Sequence, residues 1–369
     1  MQDNKIESWA FFRNASLKEF TVSETVNCIE NHAFYDCRTL KKIIFSGCPE
    51  KIEKSAFMKC TGLTEFSLPE NLQSLPAELC AECLSLKKIS VPEKIETIPD
   101  RAFYFCAGLT ELSLPEHLQA IGISAFEHCT SLQAVTFPEQ VRTLGTQAFS
   151  GCYALHTITL PAGLQKIGKW GFSDCFRLRS LQLPESLTEL GEGAFMNCVS
   201  LKQVRIPANL TEIPKNAFLG CAGLTQMHIP EHVTKIHAQA FSCCTKLKKL
   251  AIHDATECGS SGLFDNIRLL HLYRKGCHVR IELNEEKNAD ENLVIRFWTE
   301  KDISRRKIFF RQLKNPAYKI PLAVLMTATL DEDKAVFRNY IHENSETVSA
   351  FLIKNHDEEN MKKLLQLES

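Results

Sequence analysis

Sixteen cysteines are the side chains of this chain best equipped for chemistry. Thiols form disulfides, bind zinc or act as nucleophiles. Their spacing decides among these roles. Ten of them stand 23 residues apart: Cys37, Cys60, Cys83, Cys106, Cys129, Cys152, Cys175, Cys198, Cys221 and Cys244. Three residues before each stands a Phe (Phe34, Phe57, then Phe103 to Phe241 in steps of 23), with Cys80 breaking the series. Three residues after each stands a Leu, from Leu40 to Leu247. A column at this spacing lacks the close ligand pairs of a zinc site. Stacked coils about 4.8 Å apart fall within disulfide range, but parallel side chains cannot easily reach the ~90° disulfide dihedral. The column therefore reads as buried free thiols, small hydrophobes with a weak S–H donor. That points to a reducing compartment.

Other reactive strings yield to the same register. His228-Ile229-Pro230-Glu231-His232 spells H-x-x-E-H, which binds zinc only on a helix. Here Pro230 ends a strand. Cys277 lies outside the column beside His278, but sequence neighbours do not make a nucleophile–base pair. Glu70, Glu93, Glu116, Glu139, Glu185 and Glu231 recur after a Pro; one carboxylate per coil is too few for calcium, and the expectation is a solvated turn. Asn14-Ala15-Ser16 and Asn209-Leu210-Thr211 are glycosylation sequons. No catalytic, cofactor or metal residue is assigned, and the chain reads as non-enzymatic.

The elements that carry these columns are short. One copy reads Ala102-Phe103-x-x-Cys106-x-x-Leu109-x-x-Leu112-x-Leu114-Pro115. The end of Leu109-x-x-Leu112-x-Leu114 alternates like a strand with one buried face. Pro follows in eight consecutive copies, from Pro69 to Pro230, and ends the strand because it cannot donate to a ladder. A second short strand or turn follows, as at Leu164 and Ile167. Ala-Phe-x-x-Cys is expected to be a brief helical turn. A fixed period of this length marks a solenoid of stacked units.

Leu-x-x-Leu-x-Leu-Pro with Ile-Gly-x-x-Ala-Phe-x-x-Cys resembles the BspA-like class of leucine-rich repeats, over about residues 10 to 255. The resemblance implies a right-handed α/β-type coil with a parallel β-sheet on one wall and short strands and helical turns on the others. It also implies binding, with known members including bacterial surface adhesins. About eleven coils at ~4.8 Å give a solenoid on the order of 50 Å long.

The repeats are expected over 1–275, with a degenerate end where Leu263-Phe264 and Leu270 keep register and His253, Ile267 and Lys275 depart from it. Residues 276–300 read as capping strands, Val279 to Leu283 and Leu293 to Phe297. Residues 301–369 read as a helical module that resembles degenerate ankyrin-like hairpins and packs on the solenoid end. Its expected buried face carries Ile308, Phe309 and Leu313. Helices follow at 322–329, 333–342, 345–355 and 357–367, with Asp331, Ser345 and Asp357 as N-caps.

Charged residues make up 24% and nearly cancel, giving a net charge of −1 and a pI near 6.9. That excludes a general nucleic-acid binder, which needs a basic patch. No run of about 18 apolar residues exists to span a membrane. The start lacks a basic n-region and apolar h-region, which points to the cytoplasm. A cell-surface or secreted setting is the alternative if a signal peptide precedes.

The register sorts surface from core. The second positions after the repeat Leu begin Glu19, Lys42, Glu65, Lys88, Glu111, a sequence of alternating charge that reads as a structural ladder. Further on the same wall turns neutral and hydrogen-bonding: Thr157, Thr159, Ser180, Gln182, Gln203, Arg205, Gln226 and His228. This is the first candidate partner face. Tyr104-Phe105, on a Phe-to-Cys turn, is the second. The expected function is a monomeric scaffold that holds a protein, or as a second class a glycan, along one wall. The rivals are a surface adhesin and an effector enzyme acting through Cys277, since some bacterial leucine-rich-repeat effectors resemble a plan with a Cys-dependent ubiquitin ligase after the repeats.

Overall fold

A computed structural model describes residues 4–253, 256–259, 263, 266–274, 277–283, 289–300, 302–329 and 335–354. Phe264, Lys275, Asp331 and the helix expected at 357–367 lie outside the described residues. The chain divides into two compact units, Met1–Leu224 with His237–Thr245, and Thr225–Ile236 with Lys246–Ser369.

The first unit is a parallel β-solenoid whose register is the sequence period. On one wall Ala134–Thr136 pairs with Thr157–Thr159, and Leu181–Gln182 with Val204–Arg205, each residue opposite the one 23 further on. On a second wall five two-residue strands, from Thr97–Ile98 to Glu189–Leu190, form one parallel sheet. The strands are short because Pro removes the next donor. Burial alternates as expected: Thr157 and Thr159 face out, while the Phe, Cys and Leu columns are closed to solvent.

The Phe rings form a continuous pile from Phe103 to Phe241, with centroids 5.1–5.7 Å apart and planes within 15°. Where Cys80 interrupts the pile, Phe66 of the sheet wall leans onto Phe57 (4.9 Å).

The third wall differs from the expected helical turn. Residues two before and two after the Phe position adopt φ between +53° and +73° on each coil from Trp9 to Cys243, and only Gly151, Gly193 and Gly220 among them are glycine. A helix cannot pass through left-handed residues. The reason for the strain is the hydrogen bonding. The N–H groups of His32, Phe34 and Asp36 donate to the next coil's Lys54, Ala56 and Met58 carbonyls (3.2, 2.8 and 2.8 Å). Those of Tyr35 and Cys37 close local turns onto the His32 and Phe34 carbonyls (3.0 and 3.3 Å). Alternate amides thus serve the stack and the turn, so none is stranded.

In the second unit Gln226–His228, Lys249–His253 and Leu269–Arg274 pair in parallel, and Cys277–Glu282 closes the sheet antiparallel. The expected strand Leu293 to Phe297 is instead part of helix α1, Ala289–Thr299. A short apolar run fits both periods; here Val294, Phe297 and Trp298 form a buried helical face. Helix α2 spans Ile303–Gln312, capped by Asp302, which accepts from the Ser304 N–H (2.8 Å). Its buried residues are Arg306 and Phe310, not Ile308, which is 50% exposed. Helix α3, Pro316–Thr329, is longer than expected because Pro316 opens it and Pro321 is accommodated inside. It packs against Cys277–Glu282 and is buried from Ile320 to Thr327. Helices α4, Ala335–Glu343, and α5, Ser345–Lys354, complete the described module; α5 already includes Ser345. Phe297, Phe310 and Phe337 form its aromatic centre.

Candidate partner-binding faces

The thiols come first, because their geometry removes them from chemistry. All sixteen are free, and the ten of the column are buried. Each donates its S–H to the main-chain carbonyl of the preceding coil's Phe position: Cys129 to Phe103 (3.4 Å), Cys152 to Phe126 (3.3 Å), Cys175 to Phe149 (3.4 Å). Cys106 donates to Cys80 in the same way (3.2 Å). The column is thus a side-chain hydrogen-bond ladder beside the backbone ones. Burial pushes the eight column thiols from Cys83 to Cys244 up, Cys152 and Cys244 to about 12, while at the end of the column the bond between Cys37 and Cys60 lowers Cys37 and raises Cys60. A thiol held neutral is a poor nucleophile and metal ligand. Cys80 and Cys83 do stand at C-x-x-C spacing, but both are fully buried. Among the described residues, no three His, Cys, Asp or Glu side chains are grouped to hold a metal ion.

Cys277 lies in register with Arg274. His278, one residue on, turns its ring to Tyr273 (4.6 Å) and its Nε2 to His271 Nδ1 (2.8 Å). Successive strand residues face opposite sides, so the two neighbours do not meet. His228 sits on a strand and His232 in the turn after Pro230, which leaves H-x-x-E-H without a helix. The recurrent Glu is more than a solvated turn residue. Glu93, Glu139 and Glu185 accept the N–H of Glu116, Ala162 and Ala208 on the next coil (3.3, 3.4 and 2.7 Å).

On the outward sheet face the charged rungs pair as a ladder: Lys42 with Glu65 (3.0 Å) and Lys88 with Glu111 (3.4 Å). Both pairs are exposed and contribute little stability. Further along, four expected residues come together. Ser180, Gln182, Gln203 and Arg205 line an open groove of about 930 Å³ with Arg179, Lys202, Glu139 and Glu185. Arg205 Nη2 reaches Glu185 Oε1 (3.1 Å), with its side chain 86% exposed. Thr157 and Thr159 are outside this lining; Thr157 Oγ1 bonds to His156 Nδ1 (2.9 Å). Gln226 and His228 belong to the second unit, where His228 lies edge-on to His253 and Tyr273 (6.2 Å each).

The turn wall holds a face that the sequence only hinted at. Phe105 is exposed and touches His128 (4.8 Å), which meets Tyr153 (6.2 Å), which stacks on Phe176 (5.1 Å). Tyr104 is half-buried beside Phe105 (5.5 Å). Tyr153 and Phe176 sit two positions further along their turns than Phe105 does, so the stripe runs diagonally across the repeat. Reading single columns misses it; comparing neighbouring columns for exposed aromatics would have found it.

The described helices include none long and apolar enough to cross a membrane. The family profile described as "BspA type Leucine rich repeat region" matches six copies, over residues 2–110, 96–225 and 211–275. A leucine-rich repeat protein from Bacteroides ovatus ATCC 8483 is 23% identical, covering 73% of this chain and 78% of that one, with a TM-score of 0.57. A leucine rich cell surface protein from Faecalibacterium prausnitzii A2-165 is 27% identical, covering 74% and 83%, with a TM-score of 0.49. No curated protein matches the chain.

Proposed function

Because the chain belongs to the BspA-type leucine-rich repeat family, a family of repeat-based interaction scaffolds, we propose that it holds a protein partner in the groove between Leu160 and Arg205. One observation carries this reading. The groove gathers polar side chains without internal partners, Ser180, Gln182 and Gln203, with the cations Arg179 and Lys202, while Glu185 is occupied by Arg205 and the Ala208 N–H. Such a surface suits an extended acidic segment crossing several coils. Charge there sets steering and specificity, and a rigid frame lowers the ordering cost of many modest contacts.

The stripe Phe105, His128, Tyr153 and Phe176 supports a second reading, since exposed aromatics are common binding anchors. A photo-crosslinking residue placed at Gln203, and separately at Tyr153, separates the two. The groove reading expects a protein adduct at Gln203 that disappears in R179E/K202E. An adduct at Tyr153 alone moves the site to the turn wall. A glycan and an adhesin role are served by the same faces.

The thiols do not fix the compartment. A buried column with raised pKa resists oxidation wherever the chain resides, so the cytoplasmic expectation loses its main support and a cell-surface setting stands level with it.

A further inference from the structure

Four histidines of the second unit share one outward sheet face. His228, His253, His271 and His278 lie on Gln226–His228, Lys249–His253, Leu269–Arg274 and Cys277–Glu282, alternating with buried Met227, Ile252, Leu272 and Val279. Two of them converge. His271 Nδ1 and His278 Nε2 are 2.8 Å apart on adjacent antiparallel strands, placed diagonally because His271 pairs with Arg280 and His278 with Tyr273.

Two ring nitrogens at that distance share one hydrogen, and the rings lie within 8° of parallel with centroids 5.1 Å apart, so the two nitrogens face each other head to head. A metal ion takes the place of that hydrogen if the rings part and each turns on its side-chain bonds until the two nitrogens aim at one point. Two nitrogens on a tetrahedral zinc at 2.0–2.1 Å stand about 3.3 Å from one another. The rings are held for this: His278 stacks on Tyr273 (4.6 Å), and Tyr273 on His253 (5.0 Å). Arg280 is bonded to Glu282, which offsets its charge. Cys277 falls on the opposite side of its strand, so the donors are nitrogen only.

We propose that His271 and His278 form a two-nitrogen chelate for a divalent first-row ion of borderline softness, Cu²⁺, Ni²⁺ or Zn²⁺. Its remaining positions are open to water or to a donor on a bound partner. Imidazole donors select these ions over calcium and magnesium. The chelate clips the closing strand of the sheet to its neighbour.

Calorimetric titration of the tag-free chain with NiCl₂ and ZnCl₂ tests this, in a C48S/C243S background that removes the exposed thiols. The expected result is saturation at one ion per chain, lost in H271A and in H278A and kept in H253A. Absence of saturable binding, or binding that survives either H271A or H278A, overturns the proposal. A measurement on the unsubstituted histidines guards against misfolding. Copper with ascorbate is expected to oxidise His271 and His278 ahead of the other histidines; oxidation centred elsewhere overturns it.

Discussion

Raising the pH from 8 to 11 is expected to destabilise the repeats strongly, with the loss of stability starting near pH 9. The cause is the thiol column. Burial raises the pKa of Cys83, Cys106, Cys129, Cys152, Cys175, Cys198, Cys221 and Cys244 above the ordinary value of 9.0. Below pH 9 each thiol is protonated in both states, and its contribution is fully present. Above 9 the unfolded chain releases protons that the folded chain retains, so stability falls as pH rises toward the folded values, about 12 for Cys152 and Cys244. Each thiol then costs about 1.4 kcal/mol per pH unit. By pH 10.5 that is about 2 kcal/mol for each of Cys152 and Cys244, and the other six act in the same direction, against the ~5–15 kcal/mol that holds a typical domain folded. Urea unfolding at half-unit pH steps measures the slope. Lysine and tyrosine titrate in the same range, so the control replaces Cys129, Cys152, Cys175 and Cys198 by Val. The control is expected to flatten the slope; an unchanged slope assigns the loss to other groups.

The second large effect is expected from Phe149→Ala, at about 3–5 kcal/mol. Phe149 is fully buried, stacked between Phe126 (5.1 Å) and Phe172 (5.5 Å), with Phe137 edge-on at 5.4 Å. Its carbonyl accepts the Cys175 thiol (3.4 Å). Removing the ring opens a cavity in a pile whose stability depends on nearest neighbours, so hydrogen exchange should quicken from 126 to 175. Tyr153→Ala, four residues on and 41% exposed, is expected to change stability by well under 1 kcal/mol. Equal costs for the two would contradict the assignment of Phe149 to the core.

Much of this molecule is legible in its sequence because a repeat converts one inference into many. Cys, Phe and Leu at fixed offsets identify the core columns, and the second position after each repeat Leu identifies the ion pairs Lys42–Glu65 and Lys88–Glu111. What was missed arises between coils. The turn wall could not be recognised as left-handed, because Trp9, Arg101 and Gln147 occupy its special positions with ordinary side chains; stacking hydrogen bonds impose the conformation. The carboxylates of Glu93, Glu139 and Glu185 acquire their role only when the next coil supplies an N–H. The groove is legible as a column of polar residues, but Arg179 and Lys202 stand one position after the repeat Leu, beside the outward columns. Leu293 to Phe297 fits strand and helix alike over five residues, and only the flanking turns of helix α1 decide it.

The cysteine column is structure, which leaves the outward faces to carry function. Iodoacetamide labelling of the freshly purified native chain at pH 8, read residue by residue by mass spectrometry, tests it most directly. The account predicts prompt modification at the exposed Cys48 and Cys243, and none at Cys60 through Cys221 until urea is added. Prompt labelling of a column cysteine in the native chain, or a disulfide between two of them, would contradict it.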